Sequence, residues 1–254
     1  MMRIDLNSDL GEGFGPWVMG DDAAMLGLVT SANIACGGHA SDPETMFQTL
    51  RLAAANGVSV GAHPGYNDPA GFGRRVIPMA PAEAGRMVAA QIGSLQALAA
   101  MAGTRVAYVK PHGALGNLAG DDRAVADAIA LAVRAISPDL AILAISGTEL
   151  EHAARAVAIP VFSEIFADRG YLPNGRLVPR GKPGAMIHNP DAAVDRLLGF
   201  LESGLMPVVG CDPVPLVAHS ICVHGDSPGA VEMARQIRAR LGAAGVTIAA
   251  FLPA

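Results

Sequence analysis

Ile4-Asp5-Leu6-Asn7-Ser8-Asp9-Leu10-Gly11-Glu12-Gly13 alternates apolar with polar side chains and then breaks into a glycine-rich turn that carries a carboxylate. Period-two alternation marks a strand, and the glycines after it let the chain turn sharply. The same grammar returns downstream. Val58-Ser59-Val60-Gly61-Ala62-His63, Val106-Ala107-Tyr108-Val109-Lys110-Pro111-His112 and Ser220-Ile221-Cys222-Val223-His224-Gly225-Asp226 are short β-like runs that end in His, Lys or Asp. A loop and an amphipathic helical segment follow each run. If the runs are neighbouring parallel strands, their polar ends gather at one mouth, and the chemistry is expected there.

Outward from these runs the chain reads as seven or eight β-α units. A helix is expected over 21–28, a strand over 30–36 and a turn at Gly37-Gly38-His39. Asp42-Pro43 supplies an N-cap carboxylate and Pro at N1, and Gly57 supplies the stop. Helices are expected over 81–102 and 121–136, with strands over 106–110 and 140–145. Thr148-Glu149-Leu150-Glu151 reads as a capping box. A strand over 161–166 precedes a second long loop, and Asn189-Pro190 opens a helix that Gly204 closes. Residues 208–216 read as irregular or hairpin, Asp226-Ser227-Pro228 as another cap, and 246–252 as a last strand. The loops at 64–81 and 170–189 exceed the usual two to six residues of a βα connection.

Units of this kind favour a parallel sheet covered by helices, and both strand faces read as apolar. No GxGxxG follows a strand and no GxxxxGK[ST] exists, which disfavours a dinucleotide or P-loop sheet. The expectation is α/β: a closed or nearly closed TIM-like barrel of seven to eight units, forming a single domain over residues 1–254.

Composition narrows the function. The chain has 254 residues, 51% of them hydrophobic, and a formal charge of -5 without a basic run, which argues against nucleic acid. Mean hydropathy is positive at +0.36, yet no apolar run approaches the roughly 20 residues of a spanning helix, so no membrane is expected. Met1-Met2-Arg3 leads straight into the first strand, leaving no room for a signal peptide. Cys36, Cys211 and Cys222 form an odd set without CxxC spacing, pointing to reduced thiols in the cytoplasm. Of 18 basic residues only Lys110 and Lys182 are Lys, so a Lys at a strand end suggests a site needing a compact ammonium.

The strand ends present Asp9 and Glu12, His39, His63, Lys110 and His112, then Glu164, Asp168 and Arg169, and last His224 and Asp226. Four of the seven His residues fall there, whereas His152, His188 and His219 are assigned to the surface without a role. Carboxylates and imidazoles around a cleft can activate water and protonate a leaving group, or bind a divalent metal. Without HExxH or a two-residue ligand pair the spacing leaves the metal question open. No GxSxG elbow supports an acyl-serine route. Arg74, Arg75, Arg169, Arg176, Arg180 and Lys182 make the two long loops locally basic, which suggests a small anionic substrate.

Six motifs in order, Asp5-Leu6-Asn7-Ser8-Asp9-Leu10-Gly11-Glu12, Ser31-Ala32-Asn33-Ile34-Ala35-Cys36-Gly37-Gly38-His39, Gly61-Ala62-His63-Pro64-Gly65-Tyr66, Val109-Lys110-Pro111-His112-Gly113-Ala114-Leu115, Phe166-Ala167-Asp168-Arg169-Gly170-Tyr171 and Ile221-Cys222-Val223-His224-Gly225-Asp226, resemble the LamB/YcsF family of 5-oxoprolinase A subunits. The resemblance covers almost the full chain. One departure is Gly116, where the family usually has Tyr.

The resemblance implies a seven-stranded TIM-like barrel of the glycoside hydrolase/deacetylase type. It also implies a part in the ATP-dependent opening of 5-oxoproline to L-glutamate with partner subunits B and C. ATP would be consumed by the complex, in keeping with the missing P-loop. On that reading Asp9 or His112 is the base that activates water, Lys110 and Arg169 hold phosphate or carboxylate, and His63, Glu164 and His224 orient or donate protons. Asn7, Glu12, His39, Arg74, Asp168 and Asp226 complete the substrate site. Two other readings stand beside it: a metal-dependent deacetylase or amidase acting alone, and a non-catalytic lactam-binding protein.

Overall fold

The structure, a computed structural model, describes residues 2–226 and 229–254. Strands β1 (Arg3–Leu10), β2 (Ser31–Ala35), β3 (Ser59–His63), β4 (Val106–Val109), β5 (Ala141–Ile145) and β6 (Val161–Phe166) pair in parallel in chain order. A hairpin of β7 (Leu205–Val208) and β8 (Cys211–Pro215) stands apart as its own antiparallel sheet. The next strand, β9 (Ser220–Cys222), pairs with β6 on one side and β1 on the other, which closes a seven-stranded parallel barrel. A short β10 (Thr247–Ile248) adds to the outer start of β1.

The helices ringing this barrel are α1 (Asp22–Leu26), α2 (Pro43–Ala55), α3 (Pro81–Met101), α4 (Gly113–Asp121), α5 (Arg123–Ile136), α6 (Glu149–Ala156), α7 (Pro190–Ser203) and α8 (Ala230–Ala243). The expected signals start and stop them. Asp42 accepts from the backbone N–H of Glu44 and Thr45 with Pro43 following, and Asn189 accepts from Ala192 with Pro190 following. Gly204 takes the left-handed conformation at φ 71°, the geometry a residue without Cβ adopts freely. Outward-facing Leu6, Ile34, Val60, Ile142 and Ile221 pack against Leu50, Ile92, Ile129, Leu197 and Ile237 of the helices. Fully burying side chains of this size contributes about 1.5–3 kcal/mol each, so this layer dominates the stability.

The other strand face departs from the expectation of apolar packing on both sides. Asp5, Asn7 and Asp9 of β1 bond into the barrel interior, together with Ser31 and Asn33 of β2 and Ser220 of β9. These polar groups are tolerated because they satisfy one another. Asp5 accepts from Thr30 (2.6 Å), Ser31 (2.7 Å) and Ser220. Tyr108 crosses the interior to donate to Asn33 (2.7 Å), and a Cβ on Gly61 would overlap its ring. The sequence reads that glycine as strand, but its lack of a side chain is what admits the tyrosine.

Other departures are local. The capping box at Thr148 does not close. Thr148 donates instead to the Ile145 carbonyl (2.7 Å) and Glu151 accepts from the N–H of Gly147 (2.8 Å), one residue earlier, because Glu151 also takes the hydroxyl of Ser163. Residues 113–121 form α4, since the apolar faces of Leu115 and Ala119 bury despite three glycines. Only Thr247 and Ile248 of the expected last strand pair; Phe251 then packs on Tyr108 and Phe162 with ring centroids 4.9 and 4.7 Å away. That tail plugs the amino end of the barrel. Ser227 and Pro228, the expected cap of α8, lie outside the described residues.

Candidate functional site

β1 delivers Asp9 at its carboxyl end and β4 delivers Lys110 just past its own. The ammonium donates to Asp9 (2.8 Å) and to Cys222 Sγ (3.2 Å) and lies 3.0 Å from Glu164 Oε1. Asn7 donates to the same Glu164 oxygen (3.0 Å), and Asn33 donates to Asp9 (2.8 Å). Burial opposes charge on every one of these groups. For Asp9, burial is outweighed by His63, when that ring is protonated, and by Lys110, and the carboxyl is held well below its usual range. For Lys110, Asp9, Cys222 and Glu164 overcome burial and hold the amine well above its usual range. Burial wins at Glu164, whose pKa is raised, with only Lys110 and Asn7 pulling the other way. One fixed cation therefore serves two carboxylates. Cys222 and Cys36 are buried thiols pushed up by burial, which makes them inert.

Beside this pair lie three imidazoles and Glu12. His112 stacks flat on His39, centroids 3.6 Å apart, and His63 stands edge-on to both. Glu12 Oε1 lies 3.1 Å from His39 Nε2 and 3.6 Å from His112 Nδ1. Burial, reinforced by Asp9, pushes the Glu12 carboxyl up to about 8. One ligand atom from each of Glu12, His39, His63 and His112 lies within 4.8 Å of the others, a set that can hold a metal ion.

On the opposite rim, Asp168 accepts from His224 Nδ1 at 2.8 Å, and Phe166 stacks on the imidazole with centroids 5.3 Å apart. Burial raises the Asp168 pKa, but His224 outweighs it and keeps the carboxyl low. An imidazole held in this way has one tautomer fixed, and Nε2 remains as the nitrogen free for proton transfer.

These groups surround a cavity of about 550 Å³ at the carboxyl end of the barrel. Asp9, Glu12, His63, Arg74, Lys110, His112, Glu164, Arg169, His224 and Asp226 line it, so ten of the expected site residues converge. Asn7, His39 and Asp168 do not line it; each stands behind a residue that does and bonds to it. Asp226 pairs with Arg74. Arg169 donates to the carbonyls of Val178 (2.7 Å) and Ala185 (3.1 Å), which fixes its guanidinium at the wall, and burial with Arg180 nearby pulls it down to about 10. Arg176 lines the cavity too, but Asp121 and two carbonyls occupy its donors, pinning the long loop to α4.

Arg180 is exposed at the rim, with no carboxylate partner among the described residues. The basic loop signalled it, though nothing in its spacing separated it from Arg176. His152, His188 and His219 lie away from the cavity, as their positions in helix and loops suggested. No helix among the described residues is long and apolar enough to cross a membrane.

A sequence model of the LamB/YcsF family matches residues 4–254. The chain belongs to the LamB/YcsF family. Its relatives include the A subunit of 5-oxoprolinase from Nocardia farcinica, 55% identical over 99% of this chain and 100% of that one. The protein of the same name from Azorhizobium caulinodans is 51% identical over 100% of both. Among solved structures, the lactam utilization protein of Thermus thermophilus superposes with a TM-score of 0.93 at 42% identity, covering 98% of this chain and 100% of that chain. As a LamB/YcsF member this chain carries its small residue at Gly116 on the cavity wall, in α4, where a Cβ would come 2.5 Å from the Pro111 carbonyl oxygen.

Proposed function

We propose that this chain opens the lactam ring of 5-oxoproline to glutamate, as the A component of an ATP-consuming complex with partner subunits B and C. Relatives named as A subunits of 5-oxoprolinase, alike over their whole length, support the reading. The observation that carries it is a cavity joining an Asp-held imidazole, a buried ammonium and arginines on one wall.

A lactam amide resists water. Phosphorylating its oxygen, the task given to the partners, turns the carbon into an electrophile. Water oxygen then bonds to that carbon and gives one proton to the nitrogen; as the ring C–N bond breaks the added hydroxyl gives the second, leaving a free amine and an acyl phosphate. The acyl phosphate so formed loses phosphate to a second water, leaving glutamate. Arg74, Arg169 and Arg180 suit the phosphate, while Lys110, its three N–H groups taken by Asp9, Glu164 and Cys222, holds the two carboxylates in place. His224, steadied by Asp168, takes the proton from water and passes it to nitrogen. It is favoured over Asp9 and His112: Asp9 is tied to Lys110 and Asn33, and His112 has one nitrogen on the Phe72 carbonyl and the other on His63.

Glutamate release from 5-oxoproline and ATP, measured with subunits B and C in the presence and absence of this chain, tests the proposal. Release should require the chain; equal release without it removes the proposal. A second reading, a metal-dependent amidase acting alone, draws on the Glu12–His39–His63–His112 cluster. It requires amide hydrolysis without ATP or partners and its loss to a chelator.

A further inference from the structure

The hydrogen positions in the imidazole cluster are dictated by carbonyls. His63 Nδ1 lies 2.6 Å from the Lys110 carbonyl oxygen, and His112 Nε2 lies 2.9 Å from that of Phe72. A carbonyl only accepts, so each of those nitrogens carries its proton. The remaining nitrogens, His63 Nε2 and His112 Nδ1, then present lone pairs to each other at 3.0 Å. Asp9 Oδ2 approaches the first at 3.4 Å and Glu12 Oε1 the second at 3.6 Å. Acceptors thus face acceptors in a buried place. A proton on Glu12 can satisfy its contact with His39, but it leaves the His63–His112 contact unanswered.

We propose that Glu12, His63 and His112 form a binding site for one divalent transition-metal ion, with His39, stacked flat on His112, holding Glu12 from behind. Donors bonding a zinc-like ion at about 2.0–2.2 Å stand roughly 2.8–3.6 Å apart on an octahedron or tetrahedron. The 3.0 Å between His63 Nε2 and His112 Nδ1 and the 3.6 Å between His112 Nδ1 and Glu12 Oε1 match those edges. Two imidazole nitrogens and one carboxylate select zinc or iron(II) over magnesium and calcium, which prefer oxygen donors. The Lys110 and Phe72 carbonyls are the outer partners that orient such ligands.

The rings have no room to swing away. A Cβ on Gly65 would come 2.7 Å from His39 Nδ1, and one on Gly73 would come 2.7 Å from His39 Cβ and 2.9 Å from His112 Cδ2. All three ligands line the cavity, so coordination positions stay open toward it. This site stands whether or not the substrate is a lactam.

The test is metal binding by the stripped full chain. Cobalt(II) and zinc(II) are titrated separately in excess magnesium, and bound metal is counted by elemental analysis after gel filtration. Cobalt binding is also followed through its visible absorption. The expected result is one ion per chain and a melting temperature that rises with metal concentration. Losing an outer partner weakens such sites about 10–100-fold, so His63→Gln and His112→Gln should exceed that loss while His152→Gln leaves binding intact. Wild-type protein that retains no metal overturns the proposal, even if both site variants misfold. Full-affinity binding by the folded double variant overturns it equally.

Discussion

Replacing Lys110 by Met keeps most of the side-chain volume and removes one charge. In the native barrel that charge sits 2.8 Å from Asp9 and 3.0 Å from Glu164, and Lys110 is 5% exposed. At an effective dielectric of about 20, each contact corresponds to roughly 5–6 kcal/mol of attraction, most of it offset by desolvation. Breaking a buried pair by removing one partner costs about 3–5 kcal/mol, because the other charge stays behind. Here two carboxylates remain, and Glu164, already raised by burial, is the one that takes up a proton. The loss should therefore be about 3–5 kcal/mol at pH 8 and smaller at pH 5.5. Adding Glu164→Gln to Lys110→Met should recover part of it at pH 8 and little at pH 5.5. Urea denaturation followed by circular dichroism at the two pH values measures all three variants. A Lys110→Met protein within about 1 kcal/mol of wild type at pH 8 would refute the claim that this ammonium neutralises the site.

In chelator-treated protein Glu12 makes folding pH-dependent. Its pKa of about 8 when folded, against 4.5 as its ordinary value, means the folded state holds the extra proton between those limits. Stability from this group is full below pH 4.5 and falls as pH rises toward 8, and Glu12→Gln should flatten the profile by up to about 1.4 kcal/mol per pH unit. Parallel wild-type and Glu12→Gln melting curves across that range would contradict the assignment. Gly61→Ala forces Tyr108 off its place and off Asn33, so it should destabilise by about 2–6 kcal/mol, the sum of overpacking and an unmet donor. Unchanged urea midpoints would show that the barrel interior yields easily. Arg180→Ala should raise KM for the phosphorylated substrate about 10-fold or more with an unaltered melting temperature, the effect of one charge-assisted hydrogen bond. An unchanged KM would place the anion elsewhere.

The strand-end residues were legible in the sequence because a parallel barrel carries one end of every strand to the same mouth. His63, Lys110, Glu164 and His224 follow from that alone. What escaped depends on side-chain direction. Asn7 points into the interior two residues before Asp9, and the period-two pattern of β1 shows its polar face without saying what meets it. Asp168 reads as one more carboxylate at a strand end, and only coordinates reveal that it is spent on His224. Helix α4 was hidden by Gly113, Gly116 and Gly120, whose low helix propensity is overridden by burial of Leu115 and Ala119. Arg176 and Arg180 are four residues apart in one basic loop, yet the first is a strut and the second is open at the rim.

Ring-opening turnover of the complete complex with His224→Asn bears most directly on the proposed hydrolytic centre. Asn can still occupy the space beside Asp168 but cannot carry a proton. Positioned acid-base groups contribute about 10²–10⁴-fold, so glutamate formation should fall by at least about 100-fold with binding of the subunits and melting temperature preserved. Turnover within a few-fold of wild type would contradict the account.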